Sequence, residues 1–525
     1  MSAVAANRVE LTPLSFLARG AVAFPGRAAV RSGDDVRDYR AFAADAQSLA
    51  RALSASVPSG RAVTTLSPNS AELLIAHFGV PLAGNPLVTV NTRLAAAEIA
   101  YILDHCDAPL LLADASLLPL AESAVALATH EVRIVAWGDP VPPGRISFDD
   151  FLTAGAGRPD LPWTIDDEQA VIAINYTSGT TGRPKGVEYT HRGAYLNALG
   201  FLHHGGFDGR TRYLWTLPMF HCNGWCAPWA VTAGGGLHLV IPAVREADIR
   251  RGIAELGATH LCGAPTVLDM VVAAHPEPFA QPITMIVGGA PPSPALLARI
   301  EALGASVTHV YGMTEVYGPF TICEYQPEWD ALPAPERAAR MSRQGVPMLQ
   351  SGRVRVVDGA GSDVPADGTT IGEILMQGNN LMRGYHRDPD ATAAALADGW
   401  LRSGDLGVVH PDGYLEVKDR AKDIIISGGE NISSIEVENA LLSHPAVSDA
   451  AVVGVPDARW GERPCAYVVA APGCTPDELR AHLAARLARY KIPDALHFVD
   501  ALPRTSTGKV LKRELRQQAE NAARL

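Results

Sequence analysis

Residues Val171–Asn175 (VIAIN) and the turn that follows them, Tyr176–Gly186 (YTSGTTGRPKG), decide the fold class and the kind of ligand. The short apolar run bounded by a polar turn predicts a buried strand of an α/β sheet. The glycines of the turn let the backbone approach a ligand closely, and its hydroxyls, N–H groups and Lys185 can bind phosphate oxygens. No G-K-[ST] stands at the Walker A offset, so this is a different phosphate loop. A flexible Ser/Thr/Gly linker is disfavoured because a buried strand precedes the turn and a cation lies within it.

Two further segments repeat this arrangement of a strand and a polar turn. Ile283–Val287 (ITMIV) is followed by GGAPPS, and Val307–Val310 (VTHV) is followed by YGMTE. In open α/β sheets, ligands collect beyond the carboxyl ends of the strands. Three polar turns in that position therefore predict one shared site.

The turn Tyr311–Glu315 (YGMTE) can complete a nucleotide site. Tyr311 offers an aromatic ring for stacking on a base. A lone carboxylate such as Glu315 usually belongs to a solvated loop. Opposite a phosphate loop it is a natural magnesium ligand, since magnesium combines a carboxylate with phosphate oxygens.

Three more motifs lie towards the C-terminus. In GWLRSGDLG (399–407), Asp405 can accept both hydroxyls of a ribose, and the alternative is a residue of an Asx-turn. DRAKD (419–423) is followed closely by SGGEN (427–431). The motif PRTSTGK ends at Lys509. A lysine beside a turn of small residues near a C-terminus is most often a solvent-exposed charge. The flexible Thr-Ser-Thr-Gly before it and the helical segment after it instead predict a mobile loop with one anchored end.

The length of 525 residues predicts more than one domain, because single hydrophobic cores rarely grow past about 250–300 residues. Short alternating segments with Asp-Gly turns predict a small β subdomain. These segments are 353–357, 372–376, 404–410 and 414–418.

A domain boundary is predicted at the charged cluster Lys418–Asp423. Beyond it, Ser433–Glu436 matches a capping box, strands are expected at 450–455 and 466–470, and Leu spacing predicts a helix over 476–490. We therefore expect a mixed α/β fold. A large N-terminal domain of stacked α/β sheets with a small β subdomain would span 1–421, and a small mobile α+β C-terminal domain would span 422–525.

The composition excludes several function classes. The net charge of −12 disfavours non-specific nucleic-acid binding, although a local pocket can still bind an anion. No apolar run approaches the roughly 18–20 residues of a membrane span, and no signal peptide is recognisable at the N-terminus. Seven scattered cysteines indicate a reducing compartment, and a metal site at Cys222 and Cys226 is disfavoured because no second ligand pair follows. We expect a cytoplasmic protein; the tail Ala523–Leu525 also fits a relaxed peroxisomal address.

Taken together and in this order, the five motifs closely resemble the adenylate-forming superfamily of acyl-CoA synthetases, luciferases and peptide-synthetase adenylation domains. The likeness covers nearly the whole chain. PMFHCNGWC (218–226), QPEW (326–329) and KDRAKDIIISGGENISSIEVE (418–438) are similar to one branch of it. That branch holds plant acyl-activating enzymes and bacterial methylmercaptopropionate and medium-chain acyl-CoA ligases. Ala421 stands where that branch is expected to have serine.

The resemblance implies a role for each matched residue. The phosphates would be held by Thr177, Ser178, Gly179, Thr180, Thr181 and Lys185. Adenosine would be bound by Gly288, Gly289, Ala290, Pro291, Tyr311, Gly312, Asp405 and Arg420. The catalytic group would comprise Lys185, Thr314 at the α-phosphate, Glu315 as magnesium ligand, and Lys509 bridging the carboxylate and the α-phosphate. The acyl group would face His221, Trp225, Gly288 and Tyr317. CoA would pass Gly428, Gly429 and Glu430, and Lys422 would be the hinge.

The implied activity is that of an ATP-dependent carboxylate–CoA ligase. It would use Mg²⁺, form acyl-AMP and pyrophosphate, and then transfer the acyl group to CoA with loss of AMP. A compact apolar acyl site predicts a short or medium aliphatic acid, methylthio-substituted acids included, or a small aromatic one. A homodimer is one assembly considered.

Two rival functions are weighed against this one. An adenylate-former with another acceptor, such as an amide-bond synthetase or a carrier-protein loader, is disfavoured by SGGEN and by Trp460–Glu462. A degenerate nucleotide-binding regulator would lack Lys509 or Glu315, and both are present.

Overall fold

The structure is a computed structural model that describes residues 7–138, 140–177, 183–427, 430–457, 459–505 and 509–523, without the side chains of 431 and 520–523. Elements are numbered in chain order. The helices of the described residues are α1 (Leu14–Ala23), α2 (Tyr39–Ser56), α3 (Ala71–Leu82), α4 (Ala96–His105), α5 (Leu118–Leu127), α6 (Phe148–Thr153), α7 (His191–Gly205), α8 (Cys222–Trp225), α9 (Ala227–Gly234), α10 (Glu246–Ala254), α11 (Pro265–Ala274), α12 (Pro294–Ala302), α13 (Ala334–Met341), α14 (Pro389–Ala395), α15 (Ser434–Leu442), α16 (Pro476–Ala484) and α17 (Lys512–Ala523).

The strands of the described residues form four sheets. They are β1 (Ala28–Ser32), β2 (Asp35–Asp38), β3 (Val63–Leu66), β4 (Leu87–Val90), β5 (Leu110–Asp114), β6 (Arg133–Trp137), β7 (Ile146–Ser147), β8 (Val171–Thr177), β9 (Lys185–Thr190), β10 (Arg212–Leu214), β11 (Leu237–Val240), β12 (His260–Gly263), β13 (Ile283–Val287), β14 (Ala305–Met313), β15 (Gly318–Ile322), β16 (Val346–Pro347), β17 (Arg353–Val357), β18 (Gly372–Gln377), β19 (Gly384–Tyr385), β20 (Leu401–Val409), β21 (Leu415–Arg420), β22 (Ile425–Ser427), β23 (Glu430–Ile432), β24 (Val447–Asp457), β25 (Gly461–Ala470) and β26 (Ala495–Phe498).

Two large sheets make up most of the chain. One has the order β16-β15-β14-β13-β12-β10-β11-β1-β2, and the other β19-β9-β8-β4-β3-β5-β6-β7. Their inner strands are parallel and nearly continuously apolar, which is the pattern of strands covered on both faces. Helices α2, α3, α7 and α9 share one hydrophobic core with strand residues of both sheets. Helix α3 is buried on all sides, in keeping with its sequence AELLIAHFGVPL.

Two smaller sheets complete the fold. The antiparallel sheet β17-β18-β20-β21 corresponds to the predicted β subdomain. Strands β22–β26 form a separate sheet with α15–α17 around hydrophobic cores of their own. Ser433 accepts a hydrogen bond from the Glu436 backbone N–H and so caps α15, whereas the Glu436 carboxylate pairs with Lys491 and does not complete the predicted capping box. The mixed α/β fold class is confirmed.

Two expectations require correction. The strands that precede the three polar turns lie in different sheets, since β8 pairs with β4 and β9 whereas β13 and β14 pair with each other. The helix expected over 476–490 ends at Ala484, and Ala488 is extended with φ −61° and ψ 144°. Leu487 packs against the same core as Leu479 and Leu483. The leucine spacing therefore indicates that these side chains are buried, and it does not require the helix to continue to Leu487.

No described helix is long and apolar enough to cross a membrane. All seven cysteines lie in the described residues and are free thiols. Within the described residues no group of three or more His, Cys, Asp or Glu side chains could hold a metal ion, and this includes the surroundings of Cys222 and Cys226.

Candidate functional site

Residues from both large sheets, the β subdomain and the last loop meet beyond the carboxyl ends of β13 and β14. The turn 288–291 follows β13 directly, and Gly289 has a φ of 85°, which favours glycine. A Cβ on Gly288 would lie 3.0 Å from the Trp225 ring and 3.0 Å from the Val310 backbone oxygen. This turn therefore approaches its neighbours as closely as the backbone allows, and Ala290 and Pro291 continue it at the surface.

Asp405 connects two strands of the β subdomain with β14. It pairs with Arg420 across β20 and β21, and its Oδ1 lies 3.4 Å from Arg420 Nε. The Tyr311 hydroxyl donates a hydrogen bond of 2.6 Å to Asp405 Oδ2. Burial, followed by the Asp405 charge, raises the pKa of Tyr311 well above its usual range, so the phenol stays protonated. Tyr311 and Gly312 thus lie beside the predicted ribose ligands.

Glu315 lies in a 3₁₀ turn, Thr314–Val316, and is only 7% exposed. The Tyr385 hydroxyl donates a hydrogen bond of 2.8 Å to Glu315 Oε1. Lys185 Nζ lies 4.7 Å from the centroid of the same Tyr385 ring. Tyr385 therefore joins the lysine of the phosphate loop to the expected magnesium ligand. Sequence reasoning missed it, because a single tyrosine between motifs carries no signal of its own.

The backbone around Thr314 is held by neighbouring side chains. The Tyr189 hydroxyl donates to the Thr314 carbonyl at 2.7 Å, and the Cys222 thiol lies 3.4 Å from Thr314 Oγ1. Burial raises the pKa of Cys222 to about 11, so it is a neutral thiol near pH 7. These supporting residues were also not foreseen.

Lys509 enters the site from the C-terminal segment. A Cβ added to Gly289 would lie 3.7 Å from Lys509 Cε. Lys509 N donates to Thr505 Oγ1 at 3.1 Å, and its carbonyl accepts from Thr505 N at 2.7 Å. Burial, and then the nearby Arg420 charge, lower the pKa of Lys509, while Asp405, Cys222 and Glu315 act in the opposite direction. The terminal lysine is therefore brought to the carboxylates of the other motifs.

The predicted acyl side of the site is built on a left-handed turn. Residues Cys222–Cys226 all have left-handed φ values, between 49° and 63°. The turn presents Trp225, which is 6% exposed and packs against Gly288 and Gly318. Gly224 and Asn223 are residue types that adopt this conformation, whereas Cys222, Trp225 and Cys226 are not.

His221 and Tyr317 border this turn in different ways. Burial, and then the Lys509 charge, lower the pKa of His221 to about 4, so its imidazole is neutral near pH 7. The buried Tyr317 ring stacks on Tyr189 at 3.9 Å, and its hydroxyl accepts from Thr190 N at 2.6 Å. These contacts favour a supporting role for the Tyr317 ring over an open position in the pocket.

Of the remaining predicted residues, the structure describes Thr177, Lys422 and Glu430. Thr177 ends β8 and pairs in register with Lys185. Lys422 is exposed, and its carbonyl accepts from Arg516 Nη2 at 3.3 Å. Glu430 is exposed in β23. Ser178, Gly179, Thr180, Thr181, Gly428 and Gly429 lie outside the described residues.

The connection between the last two sheets is tied across the hinge position. Asp419 Oδ2 accepts from Ser434 N at 2.6 Å and from Ser434 Oγ at 2.5 Å. Lys512 Nζ lies 2.8 Å from Glu438 Oε1 and donates to Ser434 Oγ at 2.5 Å. Lys422 thus lies between two ends that are held together.

Comparisons with known proteins point in one direction. The family model of the AMP-binding enzymes matches residues 17–386, and that of the AMP-binding enzyme C-terminal domain matches residues 436–509. The acetate–CoA ligase CCL3 of Humulus lupulus is 41% identical over 552 residues, which cover 99% of this chain and 97% of the relative. The peroxisomal acetate/butyrate–CoA ligase AAE7 of Arabidopsis thaliana is 40% identical, covering 98% and 96%. The structure of the anthranilate CoA ligase AuaEII with anthranoyl-AMP aligns with a TM-score of 0.86 at 25% identity, covering 99% of both chains.

Proposed function

The chain belongs to the family of AMP-binding enzymes, and from this premise we propose that it is an ATP-dependent carboxylate–CoA ligase. It activates a carboxylic acid as acyl-AMP with release of pyrophosphate, and then transfers the acyl group to CoA with release of AMP. The similarity to CoA ligases over almost the full length supports this proposal.

The observation that carries it is the position of Lys509. A lysine 104 residues beyond Asp405 in the chain shares a partly buried site with Asp405, Glu315 and the Gly289 turn. Bringing such a lysine into a site with low water content costs free energy. An anionic substrate that binds between the lysine and the glycine turn would recover it.

In the first step two anions must meet. An oxygen of the carboxylate attacks the α-phosphorus of ATP, and the bond from that phosphorus to the oxygen bridging to the β-phosphate breaks. We propose that the ammonium of Lys509 contacts both anions and offsets their repulsion, which is the dominant barrier. Asp405 and Tyr311 hold the nucleoside, and the neutral His221 adds no further charge.

The residues also fit a magnesium ion. Glu315 is largely buried and has a second carboxylate oxygen besides the Oε1 that accepts from Tyr385, and magnesium prefers one or two carboxylates together with phosphate oxygens. The ion would be held by Glu315 and by the nucleotide. Bound there, it would withdraw negative charge from the phosphates.

The second step needs room for a thiol. The thiolate of CoA attacks the acyl carbonyl carbon, and the bond from that carbon to the AMP oxygen breaks. We propose that Lys509 leaves as the C-terminal domain, 422–525, turns against the N-terminal domain, 1–421, about Lys422. Glu430 and the neighbouring glycines would then line the path of the pantetheine arm. The exposure of Lys422 and the lack of a regular element there support this hinge.

The acid is proposed to be small. Trp225 fills the space between Gly288 and Gly318, which limits the length of an acyl group beside the turn. We propose a short or medium aliphatic acid, a methylthio-substituted one included, or a small aromatic acid. The names of the relatives, acetate, butyrate and anthranilate, agree with this range.

The experiment is a pyrophosphate-release screen over a panel of acids, with and without CoA, in which thioester formation is followed by mass spectrometry. Acid-dependent pyrophosphate release together with acyl-CoA is the expected result. Pyrophosphate release without thioester, but with an amide when amines are supplied, would instead identify an amide-bond synthetase. The Lys509→Ala variant is the matched control.

For the compartment we propose the cytoplasm. The peroxisomal designation of the relative AAE7 supports the alternative, together with the tail Ala523–Leu525. Fluorescence of a fusion that leaves the C-terminus free distinguishes the two, because a peroxisomal protein is punctate.

A further inference from the structure

The left-handed turn Cys222–Cys226 is a strained segment of the backbone. Cys222 itself has a φ of 50°, and only Gly224 and Asn223 are residue types that adopt this conformation readily. Strained backbone of this kind persists only where the surrounding structure holds it in place, and it is concentrated at functional sites. The side chains that the turn directs into the site are therefore candidates for a role in the reaction.

Hydrogen bonding and packing fix the turn in place. Asn223 Oδ1 accepts a hydrogen bond of 2.6 Å from Asn175 Nδ2, in the strand β8 that leads into the phosphate loop. Both asparagines are buried, and breaking a buried hydrogen bond is costly. Two residues further along the turn, Trp225 packs against Gly288 of the turn after β13. Cys222 thus belongs to a segment that is anchored at two points and has little freedom to move.

The Cys222 side chain is directed at Thr314. Cys222 Sγ donates a hydrogen bond of 3.4 Å to Thr314 Oγ1. Cys222 is only 3% exposed, and burial raises the pKa of its thiol to about 11, so the thiol keeps its proton near pH 7. A thiol is a weak donor, and its contribution depends on a fixed geometry, which the anchored turn provides.

The same contact decides where the hydroxyl proton of Thr314 can point. A hydroxyl has one O–H donor and two acceptor positions. Because the thiol proton is directed at Thr314 Oγ1, the hydroxyl proton must turn away from Cys222. The Tyr189 hydroxyl donates to the Thr314 carbonyl at 2.7 Å and holds the backbone, and among the described residues no protein group accepts from the Thr314 hydroxyl. The hydroxyl is therefore presented to a ligand as a donor.

We propose that Cys222 is a positioning residue for adenylation, which orients the Thr314 hydroxyl towards the α-phosphate of ATP. The inference rests on the proposed function and on the contact with the α-phosphate that the resemblance implies for Thr314. As the carboxylate attacks, negative charge is spread over the equatorial oxygens of that phosphate. A hydroxyl that already accepts a hydrogen bond is a stronger donor, because successive hydrogen bonds polarise one another. The thiol thus strengthens and aims the contact without touching the substrate itself.

The test is a double-mutant cycle on acid-dependent pyrophosphate release by the full-length enzyme, with whichever acid of the panel the wild type uses fastest. Cys222→Ala is expected to lower kcat about five-fold, the effect of one ordinary hydrogen bond, and to leave the KM of ATP within about two-fold of the wild type. Thr314→Val removes the hydroxyl. In that background Cys222→Ala is expected to have no further effect on kcat, because the group through which the thiol acts is gone.

Cys465→Ala is the matched control, because it also removes a buried thiol, in β25 and outside the site. It is expected to keep the kcat of the wild type. Thermal unfolding of both cysteine variants shows that the rates are measured on folded enzyme.

Two outcomes would overturn the proposal. One is a kcat of Cys222→Ala equal to that of the wild type. The other is an equal loss of kcat on Cys222→Ala in the wild-type and Thr314→Val backgrounds, since Cys222 would then act through packing of the turn and not through the hydroxyl. A wild type that releases no pyrophosphate with any acid would overturn the proposed function and this inference with it, whereas either of the two outcomes in an active wild type counts against the inference alone.

Discussion

The Tyr385 hydroxyl donates a hydrogen bond of 2.8 Å to Glu315 Oε1, and this contact joins a residue outside every recognised motif to the expected magnesium ligand. Lys185 Nζ lies 4.7 Å from the centroid of the same ring. A single phenol thus orients groups from the phosphate loop and from the turn after β14.

Tyr385→Phe should therefore lower the rate of acyl-AMP formation and raise the magnesium concentration needed for half-maximal rate. A hydrogen bond to a charged group contributes about 1.5–3 kcal/mol, so we expect a loss of about ten-fold or more in rate. Pyrophosphate release over a magnesium titration measures both effects. Tyr325→Phe removes an exposed phenol–carboxylate contact and is the control. An unchanged magnesium dependence in Tyr385→Phe would separate Tyr385 from the metal site.

Lys509→Ala should remove adenylation and leave thiolation. Loss of a preorganised charge at the reacting phosphate costs on the order of 10²–10³ in rate. The measurement compares pyrophosphate release from ATP and acid with acyl-CoA formation from supplied acyl-AMP. Lys491→Ala, which removes a lysine paired with Glu436, is the control. Equal losses in both half-reactions would refute the role assigned to Lys509.

Lys422→Pro should have the opposite pattern. Proline fixes φ near −65° and so restricts rotation about the hinge, while the adenylation geometry is retained. Acyl-AMP formation is expected to continue, and acyl-CoA formation from supplied acyl-AMP should fall. Lys422→Ala removes the side chain without restricting φ and should thiolate normally. The hinge assignment fails if Lys422→Pro thiolates as fast as Lys422→Ala.

Trp225→Ala should shift acid preference towards longer acyl groups, because the indole fills the space between Gly288 and Gly318. Truncation of a buried tryptophan also costs about 3–5 kcal/mol of stability, so the acid profile is measured below the lowered unfolding temperature. Phe498→Ala, at an exposed position without an assigned role, is the control. An unchanged ranking of acids would remove Trp225 from the pocket.

The pH dependence of adenylation should report the lowered pKa of Lys509. The charged form is the active one, so kcat/KM is constant at neutral pH and falls as pH rises through this pKa. Because burial, the largest cause, lowers the pKa, the fall should begin below the pKa of an ordinary lysine, about 10.4. Lys509→Arg should move the fall to higher pH in whatever activity it retains, since guanidinium stays charged. A fall at the same pH in both enzymes would assign the titration to another group.

Much of the fold could be predicted because the inner strands are short apolar runs between glycine-rich turns. Ile283–Val287 is observed with the predicted bounds, and 171–175 lies within β8. Strand pairing depends on contacts between distant segments, which a local pattern does not contain, so the separation of β8 from β13 into two sheets was not foreseeable. The end of α16 likewise depends on how Leu487 docks on the core.

The candidate site could likewise be predicted only in part from the sequence. Lys509, Asp405 and Glu315 were predicted from motifs and are found near one another. Tyr385 and Cys222 act through contacts that only the folded chain creates, since Cys222 reaches Thr314 across 92 positions of sequence. The sequence motifs identify chemically distinctive residues in glycine-rich turns. They do not identify the residues that orient those side chains.

The left-handed turn Cys222–Cys226 links backbone strain to the selectivity of this enzyme for its acid. Its handedness is the one natural to D-amino acids, and each L-residue other than glycine is disfavoured there by roughly 1–2 kcal/mol. Glycine at Cys226 or Asn223 would relieve this backbone strain, but at Asn223 it would also remove the buried hydrogen bond that Asn223 Oδ1 accepts from Asn175 Nδ2. Such glycines would also make the backbone that positions Trp225 more flexible. A variant that carries them is therefore expected to accept a broader set of acids.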